Sequence, residues 1–303
     1  MSHLSQTRAL WAALAGVPLL FAAIAALQMK IDAGTRAYME ENEELLLRSG
    51  SAVRKMSLGY DSLLADLYWT RAVQYYGSRA GFANAKFGLL WPLLDIATTL
   101  DPKLIVAYRF GAIFLSEPSP AGAGRPDLAV ELVKRGIAEN PDDWNLNGDL
   151  GFLYYWWMRD YPNSAAAYLQ GSKNPKAPSW LKIMAARVAE KGGSLDTSRM
   201  IWSEIYQSTQ DKKIRDRAME MLRGLKARED ETELDELAQA YKIRFGHFPD
   251  STKAMLDAGM LRAIPVDPAG YPYVFGPDGK SSLVPISPVV IPPDLKAPPE
   301  VSK

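Results

Sequence analysis

The chain contains no cysteine and only two histidines, His3 and His247, and its thirty-five basic residues are matched by thirty-five acidic ones. Without cysteine there are no disulfides, no thiolate metal ligands, no thiol nucleophile and no lipid-modified cysteine, so the fold rests on packing alone. Two histidines so far apart in sequence make neither a metal cluster nor a catalytic triad. The balanced charge removes a global electrostatic case for nucleic acid. No glycine-rich phosphate loop and no nucleophile–base constellation is legible, so the sequence assigns no catalytic residue, no cofactor and no metal site, and points away from an enzyme.

What is present begins with one long apolar run. Ala9 to Leu27 holds nineteen positions without a charge, and a helix of about 20 apolar residues spans the hydrocarbon core of a bilayer. Pro18 in its middle is tolerated in a lipid-embedded helix. Arg8 precedes the run directly, and a short basic end followed at once by an apolar segment is the pattern of signal anchors, which export their carboxy side. The expectation is a transmembrane anchor over residues 1–30, a helical juxtamembrane linker over 31–60, and a single-pass protein of a bacterial inner membrane with its soluble part in the periplasm. Ala23-Ile24-Ala25 offers the small-x-small pattern of a cleavage site, so secretion after cleavage is the alternative.

Beyond the anchor, apolar-periodic segments recur in pairs that end in an acidic or Asn residue followed by proline: Leu100-Asp101-Pro102 and Glu139-Asn140-Pro141. Small residues recur at fixed distances before each proline. Ala129, Val133 and Gly136 precede Pro141, and Leu90, Leu94 and Ala97 precede Pro102 in the same spacing. Leu150-Gly151 and Tyr154 follow Pro141, while Tyr108 and Ala112 occupy the aromatic and small positions of the preceding unit. Small residues allow consecutive helices to approach, and large ones fill the holes opposite. Ala97, Pro102, Ala112, Ala129, Gly136, Pro141, Leu150 and Gly151 are therefore the expected packing positions. Pro118 to Gly124 lengthens one loop, which costs little at a surface.

On these residues the chain resembles the tetratricopeptide repeat family, whose unit of about 34 residues reads W-x2-L-G-x2-Y, then A-x3-F, then P. The likeness covers roughly Asp61 to Ile205, with Asn147 where the first tryptophan belongs. The resemblance implies a mainly α fold, a solenoid of helical hairpins over 61–245, and a groove lined by the first helix of each pair that holds a peptide or helix of a partner protein. It implies no chemistry. Asp66, Trp69, Gln74, Tyr108, Arg109, Asn147 and Tyr154 are the expected groove residues, with Arg109 placed to clamp a partner's carboxylate. Lys212 to Arg228 and Thr232 to Phe245 read as a last, highly charged helix pair. The basic cluster Lys212, Lys213, Arg215 and Arg217 alternates with Asp211, Asp216 and Glu220, as on an ion-paired helix surface.

From Phe245 onward, proline and glycine rise. Ser251 caps a short helix over Thr252 to Ala258, and Tyr271 to Phe275 is a strand entering the turn Gly276-Pro277-Asp278-Gly279. Phe248-Pro249, Met255-Leu256, Gly259, Leu261, Pro265, Asp267-Pro268, Gly270 and Tyr273 resemble the carboxy-terminal string of type II secretion pseudopilins and type IV pilins, which implies a small α+β segment over 246–284. Residues 285–303 are proline-rich and expected to be unstructured. The resulting expectation is a membrane-anchored scaffold for a protein partner in a secretion, pilus or polysaccharide-export assembly, in contact with lipid through residues 9–27. The competing expectation is an envelope enzyme or small-ligand-binding protein that uses the aromatic-rich groove.

Overall fold

The computed structural model describes residues 20–30, 49–291 and 293. Residues 20–30 form a helix, α1, exposed along its length. Among the described residues no helix is long and apolar enough to cross a membrane; residues 9–19 of the expected anchor lie outside them. So do most of the linker and residues 294–303.

The chain is mainly helical. It runs through α2 (Gly50–Met56), α3 (Asp61–Gly77), α4 (Leu90–Leu100), α5 (Ile105–Ser116), α6 (Pro126–Glu139) and α7 (Trp144–Leu153). A π turn, Tyr154–Met158, continues α7, followed by α8 (Tyr161–Gly171), α9 (Trp180–Lys191), α10 (Leu195–Ser208), α11 (Lys212–Phe245) and α12 (Thr252–Asp257). Starts are set by short acceptors: the carboxylates of Asp143, Asp160 and Asp211 accept from the backbone N–H groups of Asn145, Asn163 and Lys213. Pro126 occupies the first turn of α6, where its missing N–H costs nothing.

From α3 to α11 each helix packs mainly on its neighbour in sequence. One buried cluster runs from Ala72 and Tyr75 on α3 to Ala167 on α8, and a second from Tyr155, Ala165 and Tyr168 to Met221 and Leu225 on α11. The close approaches fall where sequence places small residues. A Cβ on Gly136 would stand 2.8 Å from the Tyr108 ring, and one on Gly151 2.8 Å from the Tyr168 ring. Ala97, Ala112, Ala129 and Leu150 are buried as well, Pro102 is half-buried and Pro141 is exposed at its turn.

Polar ties repeat with the same order. Asn140 Nδ2 donates to the Pro102 carbonyl at 2.8 Å and Asn174 Nδ2 to the Asp142 carbonyl at 2.8 Å, joining successive turns. Arg135 on α6 reaches Asp95 on α4 at 2.7 Å, and Arg109 on α5 reaches Asp149 on α7 at 2.6 Å. Both bridges therefore skip one helix.

Two expectations are corrected. The segment read as two helices is one continuous helix, because Glu229, Asp230 and Glu231 between the halves carry no Gly or Pro to break it. Two members of its basic cluster are ion-paired as read, Lys212 with Asp216 and Arg217 with Glu220, while Arg215 donates to the Thr209 carbonyl. The start of the proline-rich tail is also placed: Val289 is buried, Ser287 Oγ donates to Asp267, and the Pro293 carbonyl accepts from Arg187 at 2.7 Å.

The last segment lies on the second half of α11. Strands β1 (Val274–Phe275) and β2 (Ser281–Ser282) pair antiparallel around the Gly276–Gly279 turn, and Ser251 caps α12 as read. Ser281 N donates to Asp235 at 2.6 Å and Tyr273 Oη to Asp230 at 2.9 Å. Asp267 organises the preceding turn by accepting from the N–H groups of Ala269 and Tyr271.

Candidate functional site

The surface that stands out is the outward face of α3, α5 and α7. On α5, Val106, Phe110 and Ile113 project into solvent at i, i+4 and i+7, with Phe110 51% and Ile113 47% exposed. Isolated exposed apolar residues are ordinary, but a stripe shared by adjacent helices is not. On one flank Phe114 stacks on Tyr76 with ring centroids 3.9 Å apart and on Trp69 at 6.1 Å, tying α5 to α3. On the other flank Arg109 bridges to Asp149, tying α5 to α7. Phe152 on α7 is 45% exposed and stacks on Trp156 of the π turn at 5.9 Å and 14°.

The π turn sets that last pair. Widening the helix through Tyr154–Met158 turns Tyr154 and Tyr155 into the core and leaves Trp156 and Trp157 half-buried. Arg159, in a left-handed conformation at φ 54°, ends the turn before Asp160 starts α8. Such π turns inside helices are frequent at functional sites.

Charge within the face is already matched. Arg109 Nε and Nη2 reach the two carboxylate oxygens of Asp149 at 2.6 and 3.3 Å. That hydrogen bond, ahead of other causes, holds the arginine above its ordinary pKa, while burial pushes the Asp149 carboxyl up and outweighs the arginine's pull. Tyr76, beside Phe114, is raised by burial and then by the charge of Glu117.

Of the expected groove residues, Asp66 and Gln74 are exposed on α3, Trp69 is half-buried in the aromatic stack, and Arg109 borders the stripe. Tyr108, Asn147 and Tyr154 are instead core. Tyr108 lies over Gly136 with its hydroxyl near the Thr98 carbonyl at 3.4 Å, and burial pushes its pKa up to about 12. Asn147 lies against Gly171, and Tyr154 closes the first cluster. Tyr108 and Asn147 face a glycine of the next helix, Gly136 and Gly171, and only the first contact is made by a ring. Arg109 is a tie between helices, so its guanidinium is not an open clamp.

Compared with known proteins, the chain matches no family model and no curated protein. The geometry of the face therefore carries the functional argument.

Sequence reading missed Phe110, Ile113, Phe114 and Phe152. A signal existed. α5 reads IVAYRFGAIFLS, with Arg109 its one charged residue, and a helix that apolar exposes part of the apolar surface it carries. A separate cleft of about 530 Å³ opens beside the 118–124 loop, lined by Phe87, Trp91, Leu115, Leu128 and Arg125. Arg125 donates there from Nε and Nη2 to the two carboxylate oxygens of Asp127, at 2.8 and 2.6 Å.

Proposed function

We propose that the protein is a membrane-anchored scaffold whose helical part, a degenerate solenoid of tetratricopeptide type, holds a segment of a partner protein in an envelope assembly. The observation that carries this reading is the exposed apolar stripe on α5 with its aromatic borders on α3 and α7. An amphipathic helix or extended peptide buries such a stripe and leaves polar rims in water. The regular order of the helices supports the repeat assignment: small residues lie under rings, asparagines join successive turns, and bridges join alternate helices. The apolar run over residues 9–27 supports the anchor, with the helical part on the exported side of an inner membrane. The short segment on α11 that resembles pilins and pseudopilins supports a secretion, pilus or polysaccharide-export machine as the setting. On this reading the protein binds rather than catalyses.

The test is photocrosslinking in native membranes from single positions. A probe at Phe110 or Phe152 forms a stoichiometric adduct with one protein, identified by mass spectrometry, and a probe at Ile243, which is 87% exposed on α11, does not. Equal labelling from all three positions, or none from the first two, removes the face as a docking site.

A further inference from the structure

We infer that the corner between α2 and α3 is a second membrane contact, a wedge that rests in the headgroup region of a bilayer. It rests on the anchor reading above. Met56, Leu58, Tyr60, Leu63 and Leu67 are each more than 60% exposed, and Leu58 reaches 88%. Leu58 is held outward by the backbone itself: its φ is 51°, in the left-handed region that disfavours leucine, and Gly59 follows at φ 90°. A strained conformation that presents an apolar side chain to water makes sense when water is not its neighbour.

Tyr60, Leu63 and Leu67 fall at i, i+3 and i+7, on one side of α3. At 3.6 residues per turn that side is rotated by about 120° from Asp66, Trp69 and Val73, so it is separate from the aromatic face. Further along the same side the residues become polar, with Arg71 and Gln74 exposed. The apolar surface is thus confined to the corner. Lys55 is exposed beside it, while Asp61 is engaged by Ser57 Oγ at 2.6 Å. An apolar wedge with a tyrosine and bordering basic residues is the make-up of an interfacial membrane contact.

Two further observations favour lipid over a protein partner. The two ends of the helix row differ: α11 closes the far end with exposed ion pairs, Lys212–Asp216 and Arg217–Glu220, whereas α3 ends the row in leucine. A row of helices that ends in water needs a polar outer face. The apolar end is also the one tied to the anchor. Only residues 31–49 separate Lys30 from Gly50, a reach of at most about 70 Å.

The cysteine-free chain allows a direct test. Single substitutions Ile24→Cys, Leu58→Cys, Leu63→Cys and Ile243→Cys in the full-length protein are labelled with an environment-sensitive fluorophore. The protein is then reconstituted in vesicles of phosphatidylcholine and phosphatidylglycerol, with circular dichroism confirming equal helix content. Acyl-chain nitroxide lipids are expected to quench labels at 24, 58 and 63 several-fold more than the label at 243. Quenching at 24 alone, with 58 and 63 open to aqueous iodide, overturns the inference and leaves the anchor intact. Shielding of 58 and 63 from both quenchers overturns it too, since protein then covers the corner. Absence of quenching at 24 removes the anchor reading, and the inference with it.

Discussion

Tyr108 and Tyr168 each lie flat over a glycine of a neighbouring helix, so the distance between those helices is set where side chains are smallest. Gly136→Ala and Gly151→Ala push a methyl group to 2.8 Å from ring atoms near the tyrosine backbone, which have little freedom to retreat. Overpacking of this kind costs about 1–3 kcal/mol. Gly148, on the same helix as Gly151, has its nearest neighbour at 3.5 Å, and Gly148→Ala gains about 0.5–1 kcal/mol of helix propensity. Thermal melts therefore shift down for the first two variants and up for the third. Arg109→Ala removes the counter-charge of a carboxylate only 29% exposed. With the arginine itself 42% exposed, solvent screens part of the loss, and we expect about 1–2 kcal/mol in denaturant unfolding. The pairing of small and large residues was legible in the sequence because it follows the spacing of the proline-ended turns. The side on which a ring lands was not, because Tyr108 and Tyr154 are compatible with either helix face until the neighbouring glycine is located in space. Phe110 and Ile113 were obscured for a different reason: apart from Tyr108, Arg109 and Ser116 the whole of α5 is apolar, so its buried and exposed apolar residues look alike in the sequence.

Among the elements, α11 departs most from its sequence. It reads as two helices with a break after Arg228, yet charged residues without Gly or Pro continue a helix readily, and both halves find something to bury against. Ala218, Met221 and Leu225 pack in the second core cluster, while Asp230, Glu231 and Asp235 take the carboxy-terminal segment. That attachment depends on ionised carboxylates. Burial pushes Asp235 and Asp267 up, but hydrogen bonds from Lys280 and Ser281 to the first, and from Ser287, Tyr271 and Ala269 to the second, leave both below the ordinary carboxylate value. A carboxyl depressed in the folded state adds stability that is present above its unfolded value of about 3.9 and is lost as pH falls through the folded value. Acidification below about pH 4 is therefore expected to loosen the segment from α11 while the helix row persists. Tyr273, whose hydroxyl is pushed strongly upward by burial and by Asp230, reports the change in near-ultraviolet circular dichroism. A spectrum unchanged from pH 7 to pH 2.5 contradicts the assignment.

On the scale of the whole molecule, the described part is a row of helices with unlike ends and a segment fixed to its last member. Far-ultraviolet circular dichroism of residues 49–293 is expected to be dominated by helix. Limited proteolysis is expected to leave Asp61 to Ile205 intact and, because Val289 is buried and Arg187 holds the Pro293 carbonyl, to spare the chain as far as that contact. A first cut inside α4 to α8 would mean that the two core clusters do not protect their backbone. The helical class was plain from periodicity, and the Ser251 cap and the Gly276–Gly279 turn from their residue types. The union of the helix row and the last segment through one helix was not, since it depends on contacts more than 40 positions apart.

That shared helix has a mechanical consequence. At 1.5 Å per residue its 34 residues make a rod of about 51 Å, with one half clamped in the helix row and the other carrying the carboxy-terminal segment. A pull on the segment is transmitted along a single ladder of backbone hydrogen bonds, with no linker to absorb it. Displacement at one end of that rod is therefore carried to its other end without slack.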